Sequence, residues 1–145
     1  MLVNIFLGLA VMIVCLFVQT ALLLWLLQFR HNRQPHRVEH IYRRNMFTMG
    51  AVMLLLVLGN LGQIAIWASL FLALKEFSSF TEAFYFSAVN FATLGYGDII
   101  MSEKHKLLGP LEALNGILMV GLSTSSLLFI FQNAVKKVFV GEQDI

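Results

Sequence analysis

Three apolar runs constrain this chain more than any other feature. They cover residues 5–27, 46–74 and 107–131, and each reaches the roughly 20 mainly apolar residues that carry a helix across a bilayer. Inside hydrocarbon a backbone must satisfy its own polar groups, so each run reads as a transmembrane α-helix. The first run could be taken for a secretory signal. No basic residue precedes it, however, it is longer than an ordinary signal core, and no small-residue cleavage site follows, so it reads as a retained helix. Composition agrees: of 145 residues, 59% are hydrophobic and 12% charged, where a soluble domain carries about 25% charged residues. The fold class is an all-α membrane protein. The lone Cys15, set in an apolar run, reads as a small hydrophobe.

The charges orient the spans. Arg30, Arg33, Arg37, Arg43 and Arg44 all lie in the connection between the first two runs, and Lys136 and Lys137 follow the third. Under the positive-inside rule these segments face the cytoplasm and the N-terminus lies outside. The connection between the second and third runs then faces outward, with only Lys75, Lys104 and Lys106. The chain is accordingly a multi-pass protein of the cell (inner or plasma) membrane. Its basic linker suits contact with anionic lipid headgroups, and its small net charge of +2 does not indicate a nucleic-acid partner.

The outward segment contains a shorter helical pattern. FTEAFYFSAVNF, residues 80–91, would be roughly 18 Å long, against about 30 Å of hydrocarbon, so it predicts a re-entrant helix; a helix lying on the outer surface is the alternative by composition alone. Ser79 and Glu82 fit a capping box at its start. The stretch Ala92-Thr93-Leu94-Gly95-Tyr96-Gly97-Asp98 follows directly. Non-helical backbone at membrane depth is tolerated where it is buried in protein or lines a water-filled path, and a cation path uses carbonyl oxygens. For the carbonyls of Thr93, Leu94, Gly95 and Tyr96 to face one axis, the backbone must alternate between ordinary and left-handed conformations, which Gly95 and Gly97 adopt at little steric cost. Leu94 and Tyr96 would then pack outward and fix the diameter, Thr93 would add a hydroxyl at the inner end, and Asp98 would concentrate cations at the outer mouth. The C-terminal end of the short helix adds partial negative charge.

Short helix, T-L-G-Y-G-D and following span together resemble the pore module of potassium channels, over residues 46–137. The resemblance implies that Thr93, Leu94, Gly95, Tyr96 and Gly97 form a selectivity filter for K⁺, that Tyr85 and Phe86 support it from behind, and that four identical chains assemble around one pore. It implies no cofactor; K⁺ is the permeant ion and the only metal. Residues 1–45 are then an added N-terminal helix with its basic linker, and 138–145 a short cytoplasmic tail. Departures from the family pattern are Leu94 for the usual valine, Ala92 for a common threonine, Phe86 for a hydrogen-bonding aromatic, and the absence of Tyr-Pro after Asp98.

The third run would be the inner helix, opening near Pro110, a residue tolerated in a first helical turn. Gly121 lies close to the family's flexible glycine, with Gly116 a weaker candidate. Helical steps from Gly121 reach Thr124, Leu128 and Gln132, expected to line the cavity and inner mouth, although hydroxyl residues in membrane helices also bond neighbouring helices. Glu112, an ionisable group within a span, reads as a brace for the short helix or as a gating or proton-sensing group; Asn115 three positions on, and Asn90 or Tyr85 of the short helix, are its expected neighbours. Asn60 and Gln63 predict interhelical hydrogen bonds. His31, His36 and His40 lack the ligand pattern of a zinc site and belong to the solvated linker. With no arginine inside a span, steep voltage gating is not expected. No nucleophile–base pair, phosphate loop or redox motif supports an enzyme. A potassium-selective, leak-like channel is the reading; a weakly selective cation channel and a non-conducting accessory subunit are the alternatives.

Overall fold

The computed structural model describes residues 1–31 and 41–140, with side chains described outside 29–46, 134 and 136–145. The linker residues Arg33, Arg37, His36 and His40 lie outside the described residues, as do the side chains of Arg30, His31, Arg43, Arg44, Lys136 and Lys137. Four helices are formed: α1 (Leu2–His31), α2 (Ile41–Ala73), α3 (Phe80–Phe91) and α4 (Leu108–Val140). Within α1, α2 and α4, the stretches Leu2–Gln28, Phe47–Ala73 and Leu108–Asn133 are long and apolar enough to cross a membrane. The short helix occupies the predicted residues, because Ser79 is its N-cap and accepts the amide of Glu82 at 3.2 Å. Only half of the expected capping box forms: the Glu82 carboxylate takes the Ser78 hydroxyl at 3.1 Å instead of returning to the cap.

A ladder of contacts sets α1 parallel to α4 and antiparallel to α2. At one end Asn4 Nδ2 donates to the Lys104 carbonyl at 2.6 Å, and a Cβ on Gly8 would stand 2.6 Å from Leu111. In the middle Gln63 Nε2 donates to Gln19 Oε1 at 2.7 Å, and Gln19 Nε2 donates to Ser123 Oγ at 2.9 Å, so one buried glutamine ties three helices. At the other end Leu26 packs with Val52, Leu56 and Ile130. Lipid is as apolar as leucine, so such close packing and hydrogen bonds, more than hydrophobic burial, hold the helices together.

Around the turn from α2 into α3 the packing is aromatic. Phe86 of α3 sits against Phe71 at 5.5 Å between ring centroids and Phe77 at 4.9 Å, and Phe71 continues to Trp67 at 5.8 Å. Each pair of this kind contributes about 0.5–1.5 kcal/mol beyond area burial. The turn itself closes α2 with a left-handed Lys75 (φ 59), while the amides of Lys75 and Glu76 return to Leu72 and Phe71. This is the Schellman pattern, with lysine where glycine is usual.

Candidate functional site: the loop after α3

The loop begins where α3 ends, and the way α3 ends shapes it. The Leu94 amide donates to the Val89 carbonyl at 2.9 Å and the Thr93 amide to the Asn90 carbonyl at 2.8 Å, a second Schellman closure. It places Thr93 in the left-handed position, at φ 58. A β-branched residue there is a steric outlier, at about 1–2 kcal/mol. Gly95 (φ 56) and Gly97 (φ 74) are also left-handed, and among the described residues Leu94 and Tyr96 are not. Every second residue from 93 to 97 is therefore inverted. The glycines were legible in advance; the inversion at Thr93 was not, because it follows from the helix ending rather than from residue type.

Residues 92–98 are exposed in the single chain, Leu94 at 54% and Tyr96 at 65%. Tyr85 OH donates to Asp98 Oδ2 at 2.7 Å, which holds the carboxylate at the far end of the loop. Phe86 packs into the aromatic core and also bounds the space behind the loop. A cavity of about 350 Å³ lies behind the loop, bounded by Asn90, Gly95, Gly97, Asp98, Gly109 and Pro110.

Behind the last turn of α3 stands α4. A Cβ on Gly116 would lie 2.0 Å from the Phe91 carbonyl oxygen, 2.8 Å from its carbon and 3.0 Å from its Cα, so only glycine permits this crossing. Gly121 has nothing within 4 Å of an added Cβ. Gly121, Thr124, Leu128 and Gln132 share an exposed face of α4. The Thr124 hydroxyl donates to its own helix at Val120 O, 2.9 Å.

Glu112 is fully buried, with Oε1 in hydrogen-bond contact with Ser87 Oγ. Its partner on α3 is Ser87, a residue without a sequence signal, rather than the expected Asn90 or Tyr85. Gln63 makes its predicted interhelical bond, while Asn60 Oδ1 has no protein partner.

A further cluster went unread in the sequence. Glu76, just after α2, accepts the Ser102 amide at 2.8 Å and the Ser102 hydroxyl at 2.7 Å, and its Oε1 lies 2.5 Å from His105 Nδ1. Burial raises the Glu76 carboxyl, but the bonds from His105 and Ser102 outweigh it and leave the group below its ordinary range. This clasp joins the α2–α3 turn to the segment leading from the loop into α4. Its members are separated by 26 and 29 positions, without a periodicity to announce them.

A family model described as ion channel matches residues 54–133, which include most of α2, all of α3 and the loop, and the membrane-crossing part of α4. The comparisons with curated proteins and with solved structures returned no match. The match covers more than half of the chain, so the resemblance read from its sequence is borne out: this chain belongs to the ion-channel family, which is not a family of enzymes.

Proposed function

We propose that this member of the ion-channel family conducts K⁺ passively and selectively through a ring of four identical chains, each supplying residues 93–97 as one wall of a carbonyl-lined filter. The observation that carries the reading is the alternation of left-handed and ordinary residues along 93–97. Alternating residues of opposite hand turn successive carbonyls to one side of the strand and amides to the other. Oxygens in such a row replace the hydration shell of a dehydrated cation. Thr93, Leu94, Gly95, Tyr96 and Gly97 are the K⁺-binding residues, and Asp98, fixed by Tyr85, gathers cations at the outer mouth. Leu94 and Tyr96 pack outward against neighbouring copies, while Tyr85 and Phe86 back the loop. Gly121, Thr124, Leu128 and Gln132 line the cavity below.

Chain direction supports α3 as the re-entrant pore helix. The end of α2 and the start of α4 lie at one end of the molecule, so α3 and the loop leave and return to that end, and twelve helical residues reach only roughly 18 Å. We place this end and the N-terminus outside, and the basic linker and C-terminus in the cytoplasm. Four copies are what a carbonyl filter with one loop per chain requires, and a ring covers Leu94, Tyr96 and the exposed α4 residues Leu114, Ile117 and Leu118. Residues 1–45 remain an addition outside the pore module of 46–137.

Purified protein in liposomes tests this directly. K⁺ flux with Na⁺ excluded, from a particle of four-chain mass, is expected. Equal K⁺ and Na⁺ flux would remove selectivity, and no flux would favour an accessory subunit.

A further inference from the structure

We propose that Glu112 is held as a neutral carboxylic acid that donates its proton to Ser87, so that a relay from Glu112 through Ser87 to the Ile64 carbonyl pins the pore helix α3 between α4 and α2. The hydrogens available at Ser87 require it. Ser87 Oγ lies 2.9 Å from Ile64 O and also contacts Glu112 Oε1. A serine hydroxyl has one proton to give and can accept others, and neither the carbonyl nor a carboxylate oxygen has any. Both contacts are hydrogen bonds only if the carboxyl supplies the second proton. An ionised Glu112 would draw the Ser87 proton to itself and strip the Ile64 contact. It would still be a buried charge with a single donor, a costly arrangement.

The surroundings point the same way. Ser87 and Glu112 are fully buried. Ser87 from α3 contacts the carboxyl and links it to the Ile64 carbonyl of α2, and the Cys15 thiol from α1, with Trp67 of α2 and Asn115 of α4 beside that thiol, is the titratable group close enough to act on it. No basic residue is among them. The ion pairs among the described residues are Glu76–His105 and Glu103–Lys106, both on the connecting segments. Since α3 ends in the loop at 93–97, the relay is a positioning device for that loop. Loss of the Glu112 proton would break the α3–α2 link, so conduction would fall as pH rises.

The test is infrared spectroscopy of the purified, membrane-reconstituted chain, with flux measured alongside. The expected result is a protonated-carboxyl carbonyl band at neutral pH that is lost in Glu112→Gln and shifts in Ser87→Ala. Flux in wild type should decline on alkalinisation while Glu112→Gln, which retains an N–H for Ser87, does not decline. A wild-type spectrum with no protonated-carboxyl band would overturn the proposal, and so would a band insensitive to Ser87→Ala. The link to flux rests on the conducting reading. The band does not, so its absence and a failure to conduct are separate results.

Discussion

Substituting Gly116 by alanine is the sharpest test of how α3 is seated against α4. The added Cβ would stand 2.0 Å from Phe91 O, where ordinary contact begins at 3.4 Å, so α4 and the end of α3 must part by the difference, 1.4 Å. The obstacle is main chain, in the residue next to the Ala92 cap and two before Thr93, and no rotamer change relieves it. Overpacking of this sort costs typically about 1–3 kcal/mol, and with a rigid backbone partner the upper end applies, in every copy of the chain. Gly116→Ala is therefore expected to lower the thermal midpoint of the detergent-solubilised protein and to abolish flux. Gly121→Ala is the paired control, since nothing lies within 4 Å of its Cβ, and it should leave the midpoint in place. Loss of flux in Gly121→Ala at unchanged stability would mark Gly121 as a hinge. Wild-type stability and flux in Gly116→Ala would refute the close crossing of α3 and α4.

Other outcomes follow from the loop and its clasp. Gly95→Ala meets no neighbour within 4 Å but bears the left-handed penalty of about 1–2 kcal/mol per chain, so flux should vanish while the assembly persists; retained flux would remove Gly95 from the conducting path. The Glu76 carboxyl is lowered on folding, so its stabilisation is complete above its unfolded value near 4.5 and is lost as pH falls through the lower folded value. Acid unfolding followed by circular dichroism should accordingly be shallower in Glu76→Gln, and identical curves would show the clasp to be energetically idle. Cysteines at Val3 and Glu103, both exposed, should react with an impermeant thiol reagent from outside and one at Asn32 only from inside. The reverse pattern would invert the proposed topology.

What could be read from the sequence divides by physical cause. The spans were legible because length and apolarity are properties of contiguous residues, and α3 because a capping serine precedes it and a glycine-bearing stretch follows. Gly95 and Gly97 were legible because few other residues accept their conformation. Thr93 was not: its left-handed φ comes from the Schellman closure of α3, which any residue at that position would have inherited. Ser87 was invisible as the partner of Glu112, being an ordinary small residue on a helix, until the crossing of α3 with α2 and α4 brought it to both Ile64 and the carboxyl. Glu76 and His105 drew no reading in the sequence, because only the return of the chain past the end of α2 brings them together. Gly116 showed as a candidate for flexibility, whereas its packing shows a requirement for closeness.

The glutamine that joins α1, α2 and α4 bears on how the protein is made. Gln19 is synthesised first, and its amide needs partners that do not yet exist: Gln63 to satisfy its oxygen and Ser123 to accept from its nitrogen. A polar amide alone in hydrocarbon is unfavourable, so α1 gains a lasting reason to stay beside the nascent chain only as α2 emerges, and a second when α4 does. Insertion thereby acquires an order in which the first helix waits at the point of entry, and the last to arrive locks it in place. A chain whose α4 never enters the membrane would leave that amide half paired, a mark by which quality control could distinguish unfinished molecules from finished ones.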